Sequence, residues 1–485
     1  MPSSGKRIQD KFRSETLVQD SIHGYISIPS PERVRSQDET AFERDLIDSP
    51  WLQRLRQIHQ LQTAWLVYPT AEHSRFQHVL GVAQLASRVW AMWSDSFYRA
   101  LDELGEANAP SRNCLEETLR VAGLLHDVGH GPFGHFFDDH FLSRFKTRAG
   151  ERLTHETLGG EIICTQLSDL VSGLRRSPSG EFEPGERVAP EDVAFLITRP
   201  KANASDQSRP KWLRMLRDLF SGLYTIDNMD FVLRDAYASG FDMQPFDLER
   251  LLHYSFFTSK GLTIHQKGLP TLQRFLTARA DLFRSIYFHR TVRAIDVALA
   301  DLFRECADLL YPYGNPIDSL DEYQRLTDWS LLSDVATWDR ASDPRKKALA
   351  EQWRNFINRK IAWRLVAEKT IYYHEGDGEE TSIFASQELF EAALRAKLPQ
   401  ERRATPLRFD IARCAFRPTG SSLRNFLYRP ETDDVVSLMM DDGIKQSVKS
   451  FRICRVYGRS EEGRDAIISA FNSLTGGVVD DVTNV

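Results

Sequence analysis

Cysteine is scarce in this 485-residue chain. The five residues Cys114, Cys164, Cys306, Cys414 and Cys454 are far apart and never form a CxxC pair. That argues against a cysteine-based zinc site and fits a reducing cytosol, so a cytoplasmic location is expected. Long apolar runs are missing too: none reaches the roughly 18 residues of a membrane helix, and the N-terminus has no signal-peptide core. Nor is there an excess of positive charge. A net charge of −6 and a pI near 6.1 argue against a strongly basic nucleic-acid-binding surface, leaving at most a local basic patch. No internal repeat is visible.

What is present is the texture of a soluble globular protein, with 41% hydrophobic and 27% charged residues. The length allows about three domains, or one large helical domain with additions. Residues 1–15 are polar, without periodicity, and read as a mobile N-terminus. Thr16 to Ile28 reads as strand and turn. A helix is expected from about Pro50, with Asp48 or Ser49 as its cap. After His78 the apolar residues Val79, Val82, Leu85, Ala86, Val89 and Trp93 recur at helical spacing, so His78 opens a buried helix. Residues 172–210 are rich in Gly, Pro, Ser and charge, and read as a surface insertion around a short helix. Ile226 to Ser239 reads as a helix ending at Gly240, with Asp227, Asp230 and Arg234 on one face. For that face the ordinary reading is a surface Asp230–Arg234 pair beside a solvated Asp227. Residues 253–268 fit a hairpin, and 270–312 and 346–370 fit long amphipathic helices. From about 376 the pattern becomes one of short strands. The expected architecture is therefore mostly α, spanning 16–375, with a smaller α+β region over 376–485.

Histidine is concentrated. Eight of the thirteen lie between His59 and His155, where an even spread would put about a fifth, so this region has a need for imidazole. At its centre the apolar run Val121–Leu125 delivers the doublet His126-Asp127, which glycines and Pro132 follow. His130, His135, Asp138, Asp139 and His140 come next. A histidine at a helix end is ordinarily a cap or a surface residue. A carboxylate directly behind Leu124-Leu125 needs a partner or a metal. Imidazole and carboxylate without thiolate suit Fe, Mn, Ni or Zn.

With His78, His126-Asp127 and Asp227 in order on three helices, the chain resembles the HD-domain phosphohydrolases, whose H…HD…D pattern gives four ligands to one metal. The segments RFQHVLGV, AGLLHDVGHGPFGH, LTHE and DNMDFVLRDAYASG resemble those of the deoxynucleoside triphosphate triphosphohydrolases, in particular the type that carries an added SAM domain in animals. No SAM domain is evident here. The likeness is strong to about residue 300 and thins after 376. It implies a mostly α HD fold and metal-dependent release of inorganic triphosphate from a dNTP, with Mg accompanying the substrate phosphates. It implies His135 as general acid, supported by Asp138 and His155, with His130 and Glu156 also at active-site positions. Arg75 and Arg279 would grip phosphate, Gln60 and Asp235 the sugar 3′-hydroxyl, and Leu61 would line the same pocket. Tyr287 would exclude a 2′-hydroxyl. Taken alone, Arg279 and Tyr287 read as helix surface and core aromatic. Asp48, Gln53 and Arg56 match a guanine-reading set through which GTP or dGTP activates, with assembly into a dimer or tetramer.

Three positions depart from the pattern. Asn228 stands where the family has lysine, Phe231 where it has tyrosine, and Phe283 where it has histidine. Each change removes a donor from the phosphate side. Thr16 replaces a basic residue at the activator site. The alternative is an HD-fold nucleotide sensor or nucleic-acid-binding assembly with weak or different phosphoester hydrolysis.

Overall fold

A 29-residue helix, α1 (Arg75–Glu103), forms the axis of the molecule. Val79, Val82, Leu85, Ala86, Val89, Trp93 and Phe97 all fall on its inward side at three- and four-residue steps and are buried. Helix α2 (Arg112–Leu125) packs along it, capped by the Ser111 hydroxyl, which accepts from Cys114 N–H. The chain is described by a computed structural model over residues 15–30, 41–198, 208–373, 382–414, 425–447 and 450–476.

Around this pair lie α3 (His135–His140), α4 (His155–Thr165), α5 (Pro190–Ile197) and α6 (Ile226–Ser239). Then come α7 (Leu269–Leu282), α8 (Arg290–Leu310), α9 (Asp328–Val335) and α10 (Pro344–Ile357), with α11 (Gln387–Lys397) and α12 (Arg464–Thr475) farther on. Helix α6 ends as expected at Gly240, whose φ of 73° is the left-handed cap. Between α7 and α8 a single π turn spans Phe283–Tyr287. Such turns re-aim side chains within a helix and recur at functional sites.

The strands form two principal sheets. β3 (Ser255–Thr258) and β4 (Gly261–His265) make the expected hairpin. β4 then pairs in parallel with β7 (Phe426–Arg429), which pairs with β8 (Asp434–Ser437). The second sheet has the order β5 (Arg364–Tyr373), β9 (Ser450–Gly458), β6 (Leu407–Cys414), antiparallel throughout. β9 is buried along its whole length because it is the central strand. An N-terminal hairpin, β1 (Glu15–Asp20) and β2 (Gly24–Pro29), completes the framework.

The fold is mostly helical, with a smaller strand-containing region, as the sequence indicates. Several boundaries need correction. Residues 346–370 are not one helix: α10 stops at Ile357, and β5 begins at Arg364 because it pairs with β9. The C-terminal sheet therefore starts inside the expected 16–375 unit, and β7 and β8 return to the helical part through β4. The stretch 172–210 is no mere surface insertion, since Val193, Phe195 and Leu196 of α5 are buried, and α5 packs on α2 and α4. Its segment 199–207, like residues 1–14 of the expected mobile N-terminus, lies outside the described residues; Glu15 already belongs to β1.

On α2, away from the site described next, Glu117 is fully buried and neither carboxylate oxygen has a hydrogen-bond partner among the described residues. Burial, with Glu43 adding to it, pushes its carboxyl well above the usual range. A carboxyl raised on folding contributes stability that falls as pH rises from the unfolded value of about 4.3 toward the folded one. Glu117→Gln is expected to flatten that slope and to stabilise the protein at pH 8 by about 1–3 kcal/mol. Urea denaturation at pH 5 and pH 8 checks this, and equal pH slopes in the two proteins would count against it.

Candidate metal centre and adjoining pocket

Three helices bring their histidines and carboxylates to one point. His78 lies in the first turn of α1, His126 caps the end of α2, and Asp227 lies in the first turn of α6. His78 Nε2 is 3.2 Å from His126 Nε2 and 3.0 Å from Asp227 Oδ1; His126 Nε2 is 3.7 Å from the same oxygen. The opposite ring nitrogens are already committed. His78 Nδ1 donates to Asp230 Oδ2 at 2.7 Å, and His126 Nδ1 donates to the Gly123 carbonyl at 2.8 Å. Both Nε2 atoms thus converge on one carboxylate oxygen. A cation resolves that arrangement, and carboxylate-supported imidazole is how proteins orient metal ligands. The electrostatics agree. Although burial opposes it, Asp227 and Asp230 raise the His78 imidazole to about 10, the mark of a pocket that attracts positive charge.

Asp127 lies at the edge of this cluster. Its Oδ1 is 3.4 Å from His126 Nε2 and 3.3 Å from His130 Nε2, while Oδ2 accepts from Arg75 at 2.6 Å. Burial opposes ionisation, but Arg75, His126 and His130 outweigh it and hold the carboxyl well below its usual range. Arg75, expected to grip phosphate, is therefore paired with the doublet's own aspartate.

Asp230 and Arg234 are not a surface pair. Both are buried; Arg234 donates to both Asp230 oxygens at 2.9 Å and to Asp20 at 2.8 and 3.3 Å. His23 from the β1–β2 turn donates to Asp230 Oδ1 at 2.6 Å. The N-terminal hairpin thus buttresses the carboxylate that orients His78. Gly81 makes room for it, since a Cβ there would lie 2.1 Å from Asp230 Oδ1.

A second group stands beside the first: His130, His135, Asp138 and His155. The His130 and His155 rings stack at 3.7 Å, and Arg75 and His155 add to burial in lowering the His130 pKa, which keeps it neutral. His155 Nδ1 donates to Asp138 Oδ2. That bond offsets burial and raises the His155 pKa, while His155 and His135 hold Asp138 low. His135 Nδ1 is 3.5 Å from the same carboxylate oxygen, and the His135 side chain is 61% exposed, so it is open to a bound molecule. Glu156, in the first turn of α4, lines the same recess.

This recess, about 300 Å³, holds the metal-type cluster with Arg75, Arg279, Asn228, Phe231 and Phe283. It adjoins a 480 Å³ cavity through shared walls at Gln60, Arg75, His135, Phe231 and Phe283. Leu61, Asp235 and Tyr287 line the larger cavity. The Tyr287 hydroxyl donates to Asp235 Oδ2 at 2.5 Å, and His73 Nε2 donates to Oδ1 at 2.8 Å. Gln60 Oε1 is buried there without a hydrogen-bond partner among the described residues. Phe231 and Phe283 flank Arg279, with ring centroids 6.0 and 5.9 Å from its guanidinium carbon. The far wall is Ile411, Ala412 and Arg413 of β6, which sequence reasoning had not linked to the site. His23, Asp20 and His73 were missed likewise.

Asp48, Gln53 and Arg56 lie together near the surface. Arg56 donates to Gln53 Oε1 at 2.8 Å, and Asp48 faces Arg44 at 3.4 Å. Thr16 is half-buried in β1. Among the described residues, no helix is long and apolar enough to cross a membrane.

Residues 75–196 match the HD domain family, and the donor set of the site is of the kind that could hold a metal ion. The relatives are then specific. The chain is 28% identical to the human deoxynucleoside triphosphate triphosphohydrolase SAMHD1 over 368 residues, 70% of this chain and 54% of that protein. It is 26% identical to the Dictyostelium discoideum SAMHD1 homolog over 355 residues, 72% and 60% of the two chains. The chain thus spans little more than half the length of those relatives. An uncharacterized Bacillus subtilis protein, YwfO, is 27% identical over 364 residues, 72% of each chain. In three dimensions a hypothetical protein from Aquifex aeolicus superposes with a TM-score of 0.64 at 21% identity, covering 94% of this chain and all of that one.

Proposed function

We propose that this protein is a metal-dependent dNTP triphosphohydrolase, releasing deoxynucleoside and inorganic triphosphate. The observation that carries the reading is the joining of the two cavities, so that convergent metal-type donors and His135 face one end of a nucleoside-sized space lined by Gln60, Asp235 and Tyr287. His78, His126, Asp127 and Asp227 would hold a divalent transition metal, Fe, Mn, Ni or Zn. Once bound, such an ion supplies a water of lowered pKa and positive charge against the phosphoryl oxygens. Attack by the water oxygen forms a new bond to the α-phosphorus, breaks the bond to the 5′-oxygen and releases the water's proton to solvent. That oxygen leaves as an alkoxide and needs a proton, which His135 supplies while Asp138 and His155 orient its ring. Neutral His130 packs on His155, and Glu156 borders the recess. Arg75 and Arg279 face the phosphates, with Mg accompanying them. Gln60 and Asp235 address the 3′-hydroxyl, Leu61 lines the sugar pocket, and Tyr287, held by Asp235, leaves no room for a 2′-hydroxyl. Asp48, Gln53 and Arg56 form the site for GTP or dGTP, whose binding drives homo-oligomers. A product assay separating triphosphate from pyrophosphate and phosphate tests the reaction; phosphate or pyrophosphate as first product would refute it.

His135→Ala is expected to retain metal and substrate binding and to lower kcat by about 10²–10⁴. Steady-state kinetics with direct detection of triphosphate decides, an unchanged kcat being the contrary result.

The aromatic wall bears on substrate length. Asn228, Phe231 and Phe283 leave Arg279 between two phenyl rings, and Arg75 shares its charge with Asp127. Each missing charged contact costs about 1.5–3 kcal/mol of phosphate binding. We expect a high KM for dNTPs or acceptance of shorter phosphate esters, with deoxy-over-ribo preference intact. Asn228→Lys with Phe283→His should lower the dNTP KM. Comparing KM for dNTP and dNMP in both proteins measures this, and micromolar wild-type KM with no response to the double change would be the opposite outcome.

A further inference from the structure

A tight turn over Gly131–Gly134 leads into His135, the first residue of α3. Phe133 has φ of 59° and Gly134 φ of 56°, so two successive residues have positive φ, one of them with a bulky side chain. Such a backbone persists only where its surroundings fix it. What fixes it comes from far along the chain. The Phe133 N–H donates to Asp328 Oδ1 at 2.8 Å. Asp328 is fully buried at the start of α9, where Thr327 caps the helix.

The other Asp328 oxygen holds a different wall of the pocket. Oδ2 accepts from the His59 backbone N–H at 2.9 Å and from His59 Nδ1 at 2.7 Å. His59 directly precedes Gln60 and Leu61. Its ring is fixed from two further sides, stacking on Trp65 at 4.8 Å and reaching Glu72 at 3.0 Å. One carboxylate, with three N–H donors on two oxygens, thus ties the His135 turn to the Gln60 segment.

We propose that Asp328, with His59, is a positioning residue: it sets the distance between the proton donor and the sugar-reading wall. The inference rests on His135 acting as the general acid. Asp328→Asn keeps the shape but turns an NH₂ toward at least one N–H, so one of the two walls is released. The effect should be confined to steps that need the acid in place.

The test uses the full-length, metal-loaded protein with two substrates, a dNTP whose leaving group is an alkoxide and p-nitrophenyl phosphate, whose phenolate needs no protonation. Asp328→Asn should lower kcat on the dNTP by about 10–100-fold, the range seen for groups that orient catalytic ligands, and raise its KM. On p-nitrophenyl phosphate the change should stay within about threefold, with metal content unaltered. His135→Ala is measured alongside. If His135→Ala itself lacks this contrast, the acid assignment is what fails. If His135→Ala has it and Asp328→Asn does not, the clamp is wrong. Equal losses on both substrates, or loss of metal, likewise overturn it. Should Asp328→Asn not fold, His59→Phe keeps a ring against Trp65 but removes its side-chain bonds to Asp328 and Glu72, and it must give the same contrast at smaller size for the proposal to stand.

Discussion

Replacing His126 and Asp127 together by alanine is expected to remove the bound metal and all phosphohydrolase activity. His126 supplies one of the two converging imidazole nitrogens, and Asp127 supplies the carboxylate that anchors Arg75 beside them. On the proposed function both are ligands of the ion, and loss of ligands should cost far more than the roughly 10–100-fold expected for supporting residues. Elemental analysis of the purified double variant gives the answer directly. Stoichiometric metal surviving there would move the site elsewhere, the group formed by His130, His135, Asp138 and His155 being the next place to look.

The second large effect concerns folding. Gly129→Ala should destabilise the protein by about 3 kcal/mol, at the severe end for overpacking a core. A Cβ at Gly129 would lie 2.1 Å from the His155 carbonyl oxygen and 2.6 Å from the Gly159 nitrogen. Both are backbone atoms of α4, so no side chain can swing away. The contact is what lets the loop after His126-Asp127 lie against α4 closely enough for His130 to stack on His155. Activity should fall with stability, because His155 is displaced. Chemical denaturation followed by circular dichroism measures the change, and a variant within about 0.5 kcal/mol of wild type would show that α4 yields more easily than its packing indicates.

The helices and the metal-type residues were legible because each is announced locally. His78, His126 and Asp227 sit at helix ends whose apolar periodicity is plain, and Gly240 closes its helix where glycine should. What stayed hidden depends on distant parts of the chain. An Asp-to-Arg spacing of four residues looks the same on a surface as in a core. Only the arrival of Asp20 and His23, more than 200 positions earlier, shows that Asp230 and Arg234 are buried. Asp328 and His59 are separated by 269 positions and leave no local trace. The stretch around Arg364–Tyr373 alternates irregularly between buried and exposed positions, so its strand character emerges only through pairing with β9.

The far wall of the pocket has a consequence for how the protein is made. Ile411, Ala412 and Arg413 lie on β6, whose only ladder partner among the described residues is β9, Ser450–Gly458. Every residue expected to touch metal or phosphate precedes residue 280, yet the cavity wall cannot close until β9 has been synthesised. A nascent chain that already holds its whole complement of histidines would remain an open, water-filled cleft. That wall would form only once β9, the last strand among the described residues, has been synthesised to Gly458.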